Sequence, residues 1–290
     1  MKGLIIGNIS NLYKIKCDKK IYEAVARGKF KKEDELKPVV GDRVEIEILD
    51  EKSAVITKIY DRETYIKRPK IANISQIVFV ISTKNPKPDL LMLDKQICYA
   101  EYLGIKPIIV VNKTDLADTY KEIKKLYKNI GYKVILTEAK AGKGIHNLKK
   151  ELKGKISAFS GNSGVGKSTI INALFDEKLT QEGEISSKNK KGKNTTTEIR
   201  LYELDNKTYI ADTPGFSSFE ITEIEAADID KYFIEFKKHI EKCEYVGCTH
   251  IKEENCGVKK AKNENKISEE RYERFRKIYE ELKDKEEHKW

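Results

Sequence analysis

Nowhere in the chain does an uninterrupted apolar run approach the about 20 residues that a helix needs to cross a bilayer, so no membrane partner is expected. Met1 to Ser10 does not carry a charged region, an apolar stretch and a cleavage site in succession, so no secretory leader is expected either. Cysteine is scarce and odd in number, five in 290 residues, with three of the five at 243, 248 and 256. That distribution suits a reducing compartment and a metal site better than a disulfide framework, and the cytoplasm is the expected location. Acidic side chains are outnumbered, 47 against 57 basic ones, leaving a formal charge of +10. The excess favours an anionic partner such as nucleic acid, although lysine richness also arises from coding bias, and charge alone leaves both open. A chain of this length should hold two or three domains, each with its own core or stapled by a metal.

The most informative stretch is Gly161-Asn162-Ser163-Gly164-Val165-Gly166-Lys167-Ser168, a GxxxxGKS sequence between the apolar run Ile156 to Phe159 and a helical pattern over Thr169 to Phe175. Strand, glycine loop and helix in that order make a P-loop. Its glycines let the backbone fold round a diphosphate with N–H groups turned inward. Lys167 can neutralise the outer phosphates and the Ser168 hydroxyl can ligate magnesium, so residues 161 to 169, Thr169 included, form the candidate phosphate site.

Asn112-Lys113-Thr114-Asp115 follows the apolar strand Pro107 to Val111, and an NKxD sequence at a strand's end is a guanine-reading loop. The Asp115 carboxylate can accept from both guanine donors, whereas adenine presents no such pair. Asn112 would brace the loop and the Lys113 stem would lie over the base. Asp212-Thr213-Pro214-Gly215, after the strand Thr208 to Ala211, reads as DxxG, with Asp212 on magnesium through water and the Gly215 N–H on the terminal phosphate. Either short motif alone would pass for an ordinary turn. Beside the P-loop they form a set, but their order is unusual: the guanine loop precedes the phosphate loop. The domain reads as circularly permuted, which a doubly wound sheet tolerates because its ligands bind at the carboxyl ends of the strands.

Residues 1 to 68 carry five short β-like runs: Leu4 to Ile6, Tyr13 to Cys17, Ile21 to Ala26, Val44 to Leu49 and Ala54 to Ile59. Five strands of this size suit a small barrel. In the fourth, Val44, Ile46 and Ile48 should share one face. Arg27, Lys29, Lys31 and Lys32 follow the third strand and could meet RNA phosphates or simply be solvated. Lys67-Arg68-Pro69 reads as a hinge. Beyond it strands and helices alternate: Ile77 to Ile81, a helix from Asp89 to Leu103, Ile108 to Val111, a helix from Thr119 to Asn129, Val134 to Thr137 and a helix from Ile145 to Leu152. That pattern predicts a mostly parallel sheet.

In the tail, Ile229, Tyr232, Phe233, Phe236 and Ile240 fall at spacings that share a helical face. Cys243, Cys248, His250 and Cys256 follow, three thiolates and one imidazole that complete a closed tetrahedral zinc shell of structural type, one ion per chain. Ser268 is placed to cap a last helix with the stripe Tyr272, Phe275, Tyr279 and Leu282, which reads as core packing.

Taken together, Val40-Gly41-Asp42, Lys67-Arg68-Pro69, Ile71-Ala72-Asn73, the three nucleotide motifs, Thr195-Thr196-Thr197, Phe216 and the Cys/His cluster resemble the ribosome small-subunit-dependent GTPase A (RsgA) family nearly end to end. The resemblance implies a multidomain α/β protein: an N-terminal oligonucleotide-binding barrel (OB-fold, 1–68), a circularly permuted P-loop GTPase (69–218) and a zinc-holding, helical C-terminal domain (219–290). It implies a monomeric GTPase of small-ribosomal-subunit assembly, binding rRNA, GTP and GDP and using magnesium. By the same resemblance Ala139, in Glu138-Ala139-Lys140, supplies a backbone contact to the base, and Thr196 in the lysine-laden first switch closes on magnesium.

The resemblance leaves one catalytic position open. A glutamine just past DxxG positions water in Ras-type enzymes, and Phe216 stands there instead. The family resembles GTPases with a histidine immediately before the switch threonines, where this chain has Asn194. Asparagine can orient water but cannot take a proton near neutral pH. The catalytic candidates are therefore Lys167, Asn194, Thr196 and Gly215, with slow unassisted turnover expected. The alternative is a non-catalytic RNA-binding scaffold that holds guanine nucleotide as a structural ligand.

Overall fold

The computed structural model describes residues 1–28, 36–175, 199–212, 221 and 223–288, with Asp212 through its backbone alone. Lys29, Lys31, Lys32, Asn194, Thr196, Gly215 and Phe216, all singled out above, lie outside the described residues.

The N-terminal strands are β1 (Lys2–Ile9), β2 (Leu12–Cys17), β3 (Lys20–Ala26), β4 (Arg43–Ile48) and β5 (Ser53–Ile59). They close on themselves in the circuit β1-β2-β3-β5-β4-β1, with β3 and β5 parallel and the other pairs antiparallel. Alternation explains the closure. Tyr13, Ile15 and Cys17 on β2, Tyr22 and Ala24 on β3, and Ala54 and Ile56 on β5 turn inward and are buried. On β4 the expected face is only partly realised: Val44 and Ile46 are buried, but Ile48 is 45% exposed. It is the strand's last residue, next to the hairpin to β5, where the barrel no longer has an interior to offer.

The expected hinge is itself a hairpin, β6 (Tyr65–Lys67) and β7 (Lys70–Ala72). Two of the resemblance-bearing triplets clamp each other there. Ala72 N donates to Val40 O at 2.9 Å and the buried Asn73 donates from Nδ2 to Gly41 O at 2.8 Å. Gly41 has φ +91°, and a Cβ on it would lie 2.0 Å from Ala72 O. Asp42, fully buried, accepts from Arg62 Nε and Nη2 at 2.7 and 2.8 Å. These residues fasten the barrel to the β6–β7 hairpin.

Next come β8 (Gln76–Ser82), helix α1 (Leu90–Tyr102), β9 (Lys106–Asn112), α2 (Tyr120–Ile130), β10 (Lys133–Leu136), α3 (Ile145–Leu152), β11 (Ile156–Ser160), α4 (Lys167–Phe175), β12 (Arg200–Asp205) and β13 (Thr208–Asp212). The order β10-β9-β8-β11-β13 is parallel throughout, and β12 joins antiparallel to β13. Every residue of β8 is buried, as a central parallel strand requires. Ile77, Phe79 and Ile81 face the cluster that includes Leu93 and Ile97 of α1 and Ile123 and Tyr127 of α2. Val78 and Val80 face Leu148 and Leu152 of α3 and Ile170 and Leu174 of α4. Asp89, where the sequence starts the helix, caps α1, its carboxylate accepting from Met92 N at 2.9 Å. A bridge between Gly7 of β1 and Arg200 of β12, with Lys16–Glu203 at 2.5 Å beside it, joins the barrel and the parallel sheet into one run of eleven strands.

The tail differs from expectation in one element. Ile229, Phe233 and Phe236 are buried, but the stretch is not one helix: a 3₁₀ turn (Ala226–Tyr232) ends at Phe233 in extended backbone, and only α5 (Lys237–Ile240) resumes. Spacings of three and four residues are met equally by successive tight turns, so the pattern located the buried face but not the element. Helices α6 (Gly257–Asn263) and α7 (Glu269–Glu287) follow, the latter capped by Ser268.

Candidate nucleotide site and metal centre

Because β8 to β11 and β13 run parallel, the loops after β9, β10 and β11 leave the sheet at one edge, as does the backbone of Asp212 closing β13. Asn112 is the residue that knits three of these loops. It is 2% exposed; its Nδ2 donates to Val165 O at 2.9 Å, while its Oδ1 accepts from Thr137 Oγ1 at 3.0 Å and Ala139 N at 3.1 Å. Gly166 makes this approach possible. It sits at φ +99°, and a Cβ there would lie 2.3 Å from Asn112 Nδ2.

Lys113, itself in left-handed backbone at φ +59°, reaches across the glycine loop, donating from Nζ to Gly164 O at 2.7 Å and to Asn85 O. Lys167 opens α4 and donates to Gly161 O at 2.5 Å and Asn162 O at 3.0 Å. Burial pushes its ammonium pKa down, an effect that an anion in the loop would oppose. Gly161 lies at φ +144° and packs so close to β8 that a Cβ would stand 2.2 Å from Val80 O.

A cavity of about 520 Å³ opens at this edge, lined by Asn112, Lys113, Asp115, Ala139, Ser163, Gly164, Gly166, Lys167, Ser168 and Thr169. Gly161, Asn162 and Val165 border a separate, smaller hollow on the β8 side of the loop. Asp115 is exposed at the mouth. Sequence reasoning gave no role to Leu116, Glu138, Lys140 and Ala141, which also line the cavity. Their place in loops beside the motifs was the only available signal. Ala139, expected to give a backbone contact to the base, begins a 3₁₀ turn (Ala139–Ala141) and donates its N–H to Asn112 Oδ1.

The second constellation lies in the tail. One ligand atom each from Cys243, Cys248, His250 and Cys256 falls within 4.8 Å of all the others. His250 Nδ1 is 3.2 Å from Cys256 Sγ and 3.6 Å from Cys243 Sγ, and the two sulfurs are 3.9 Å apart. A tetrahedral ion holding sulfur at about 2.3 Å sets neighbouring sulfurs roughly 3.8 Å apart, so the donors fit a metal of that kind. Two backbone N–H groups point at the thiols, Gly257 N to Cys243 Sγ at 3.3 Å and Lys259 N to Cys256 Sγ at 3.4 Å. Burial opposes a charge on His250, yet hydrogen bonds to Asp230 and Cys256 raise its pKa to about 10. Burial is likewise outweighed at Cys256, lowered to about 7 chiefly by the His250 contact. A cation among the four donors would compete with protons for the same nitrogen and sulfur atoms.

A parallel sheet with its phosphate loop following its guanine loop, joined to a closed five-stranded barrel and a Cys/His-bearing tail, defines a circularly permuted P-loop GTPase. Family models match over two spans, RsgA N-terminal domain over residues 2–56 and RsgA GTPase over residues 59–222. The chain belongs to the RsgA GTPase family and hydrolyses GTP. It is similar to the small ribosomal subunit biogenesis GTPase RsgA of Clostridium novyi (strain NT), 40% identical over the whole of both chains. The protein of the same name from Clostridium beijerinckii is 41% identical over the same extent. Among solved structures, YjeQ from Thermotoga maritima is 34% identical with a TM-score of 0.85, covering 97% of this chain and 98% of that one. YloQ, described as a circularly permuted GTPase, is 28% identical with a TM-score of 0.83, covering 98% of this chain and 95% of that one.

Proposed function

We propose that this chain is an assembly factor of the small ribosomal subunit, a monomer of the cytoplasm that binds the subunit with GTP and leaves after hydrolysis. The observation that carries the nucleotide half is the convergence of Asn112, Lys113, Gly166 and Lys167 on one cavity at the carboxyl edge of the sheet. The ribosomal half rests on full-length similarity to proteins named for that role. Three parts would divide the work: the barrel (1–68) toward rRNA, the GTPase (69–218), and the tail (219–290).

Residues 161 to 169 would cradle the phosphates, with the Lys167 ammonium turning from its loop carbonyls to the anion. Asp115 would accept from the guanine edge, and Asn112 and Ala139 would complete the base pocket. Ser168, Thr196 and Asp212 would hold magnesium, which supplies charge neutralisation along the phosphates. The Gly215 N–H would meet the terminal phosphate, and Asn194 would orient water. Cys243, Cys248, His250 and Cys256 would hold zinc as a structural ion.

The test is phosphate release titrated with purified small subunits in excess ATP. The chain alone should turn over on the order of 10⁻⁴ to 10⁻³ per second, as unassisted Ras does, and faster with subunits. A rate that subunits leave unchanged, or that ATP suppresses, would overturn the proposal.

A further inference from the structure

Both ring nitrogens of His250 are committed, and they face different parts of the protein. Nδ1 looks at Cys256 and Cys243, whereas Nε2 lies 3.1 Å from Asp230 Oδ2. The imidazole is fully buried, and Asp230 is nearly so. An ionised carboxylate only accepts hydrogen bonds, so a neutral ring against it carries its proton on Nε2 and presents the Nδ1 lone pair to the thiolates. The backbone that carries the ring is constrained as well. His250 occupies left-handed backbone at φ +63°, unfavourable for a residue with a Cβ, and the Tyr272 hydroxyl donates to its carbonyl oxygen at 2.6 Å.

Asp230 does not belong to the cysteine-bearing loop. It lies twenty residues earlier, in the 3₁₀ turn Ala226–Tyr232, whose first N–H is held by Glu286 Oε1 of α7 at 2.7 Å. Buried Ile229 of the same turn belongs to the cluster that includes Leu93 of α1 and Phe275 of α7. The carboxylate therefore reaches the metal ligand from a turn anchored on the GTPase domain and the last helix.

We propose that Asp230 is the positioning residue of the metal centre: it fixes His250 as an Nδ1 ligand and ties the metal loop to the turn following the DxxG segment. The proposal rests on the zinc reading above. Metal-ligating histidines that lose such a partner typically lose 10- to 100-fold in affinity.

The experiment measures zinc affinity of the full-length chain by competition with a chromogenic chelator. Asp230→Ala should weaken binding about 10- to 100-fold, and Asp230→Asn less, because its amide oxygen still accepts from Nε2. Asp228→Ala should change nothing, since Asp228 is half exposed and pairs with Lys231. An Asp230→Ala chain that binds zinc within about threefold of the parent would overturn the proposal. A parent chain that binds no zinc would instead remove the zinc reading itself, and this inference with it. Should Asp230→Ala fail to fold, long-range nitrogen–proton NMR of the zinc-bound parent decides. A proton on Nε2 with zinc on Nδ1 supports the assignment, and the reverse refutes it.

Discussion

Arg271 of α7 meets Asp94 of α1 as an ion pair with neither side chain exposed to solvent. Around it the tail and the GTPase domain share a small charged core. Arg271 Nε donates to Glu235 at 2.7 Å, Arg274 Nε to the second Asp94 oxygen at 2.5 Å, and the Tyr127 hydroxyl to the first at 2.5 Å. The Arg271 guanidinium also lies 4.3 Å from the centre of the Phe233 ring. The nearby carboxylates, Asp94 foremost, raise the Arg271 pKa against the opposing effect of its burial, so it stays charged.

Such a group costs desolvation to assemble, but far more to break. Asp94→Ala removes the carboxylate that pairs with Arg271 and accepts from Arg274 and Tyr127, leaving buried positive charge with one fewer partner. It should destabilise the fold by about 3–5 kcal/mol, read as a lower denaturant midpoint. A single substitution with no shift in midpoint would show that the pair does not hold the tail to α1.

The close approach of Gly166 and Asn112 yields a second expectation. Gly166→Ala places a methyl group where the Asn112 amide sits and asks alanine to hold φ +99°. The Asn112 to Val165 bond should break and GDP affinity by calorimetry should fall at least about tenfold. Because the clash is with that amide, Gly166→Ala and Asn112→Ala together should lose less than the sum of the two. Strict additivity would mean that the two residues do not act through each other.

What could be read in advance divides by the range of the interaction. Ser268 was legible as a cap, and the strands bearing the motifs as apolar runs, because each is a property of a few neighbouring residues. GxxxxGKS, NKxD and the Cys/His cluster were legible for the same reason. Arg271 was not. An arginine beside the apolar stripe of α7 ordinarily points to water, and only the folded chain brings Asp94 beneath it, 180 residues from Arg274. Nor did any local pattern announce that β1 would pair with β12, since strand edges carry no label for their partners. Val40-Gly41-Asp42 and Ile71-Ala72-Asn73 stood out as motifs, but their contacts are with each other.

The same division bears on what metal removal should do. A tail held together by its metal alone would melt from 226 to 290 on chelation. The packing argues for a smaller effect, because two sets of contacts that need no metal hold α7 in place. One is the Asp94 core; the other is the ring cluster of Phe233 and Phe236 on Phe275, with centroids 5.1 and 4.8 Å away. The loop from 243 to 256 is held by hydrogen bonds without a ring cluster or buried ion pair of that kind: Glu253 accepts from Thr249 N, Thr249 Oγ1 and Ile251 N at 2.9, 2.8 and 3.1 Å, Glu244 N donates to Asn255 O at 3.1 Å, and the Tyr272 hydroxyl donates to His250 O at 2.6 Å. Chelation should therefore abolish hydrogen-exchange protection from about 243 to 258 while α1 and α7 keep theirs, a sub-global opening. Loss of protection along the whole of α7 would instead make the metal the element on which the tail's docking depends.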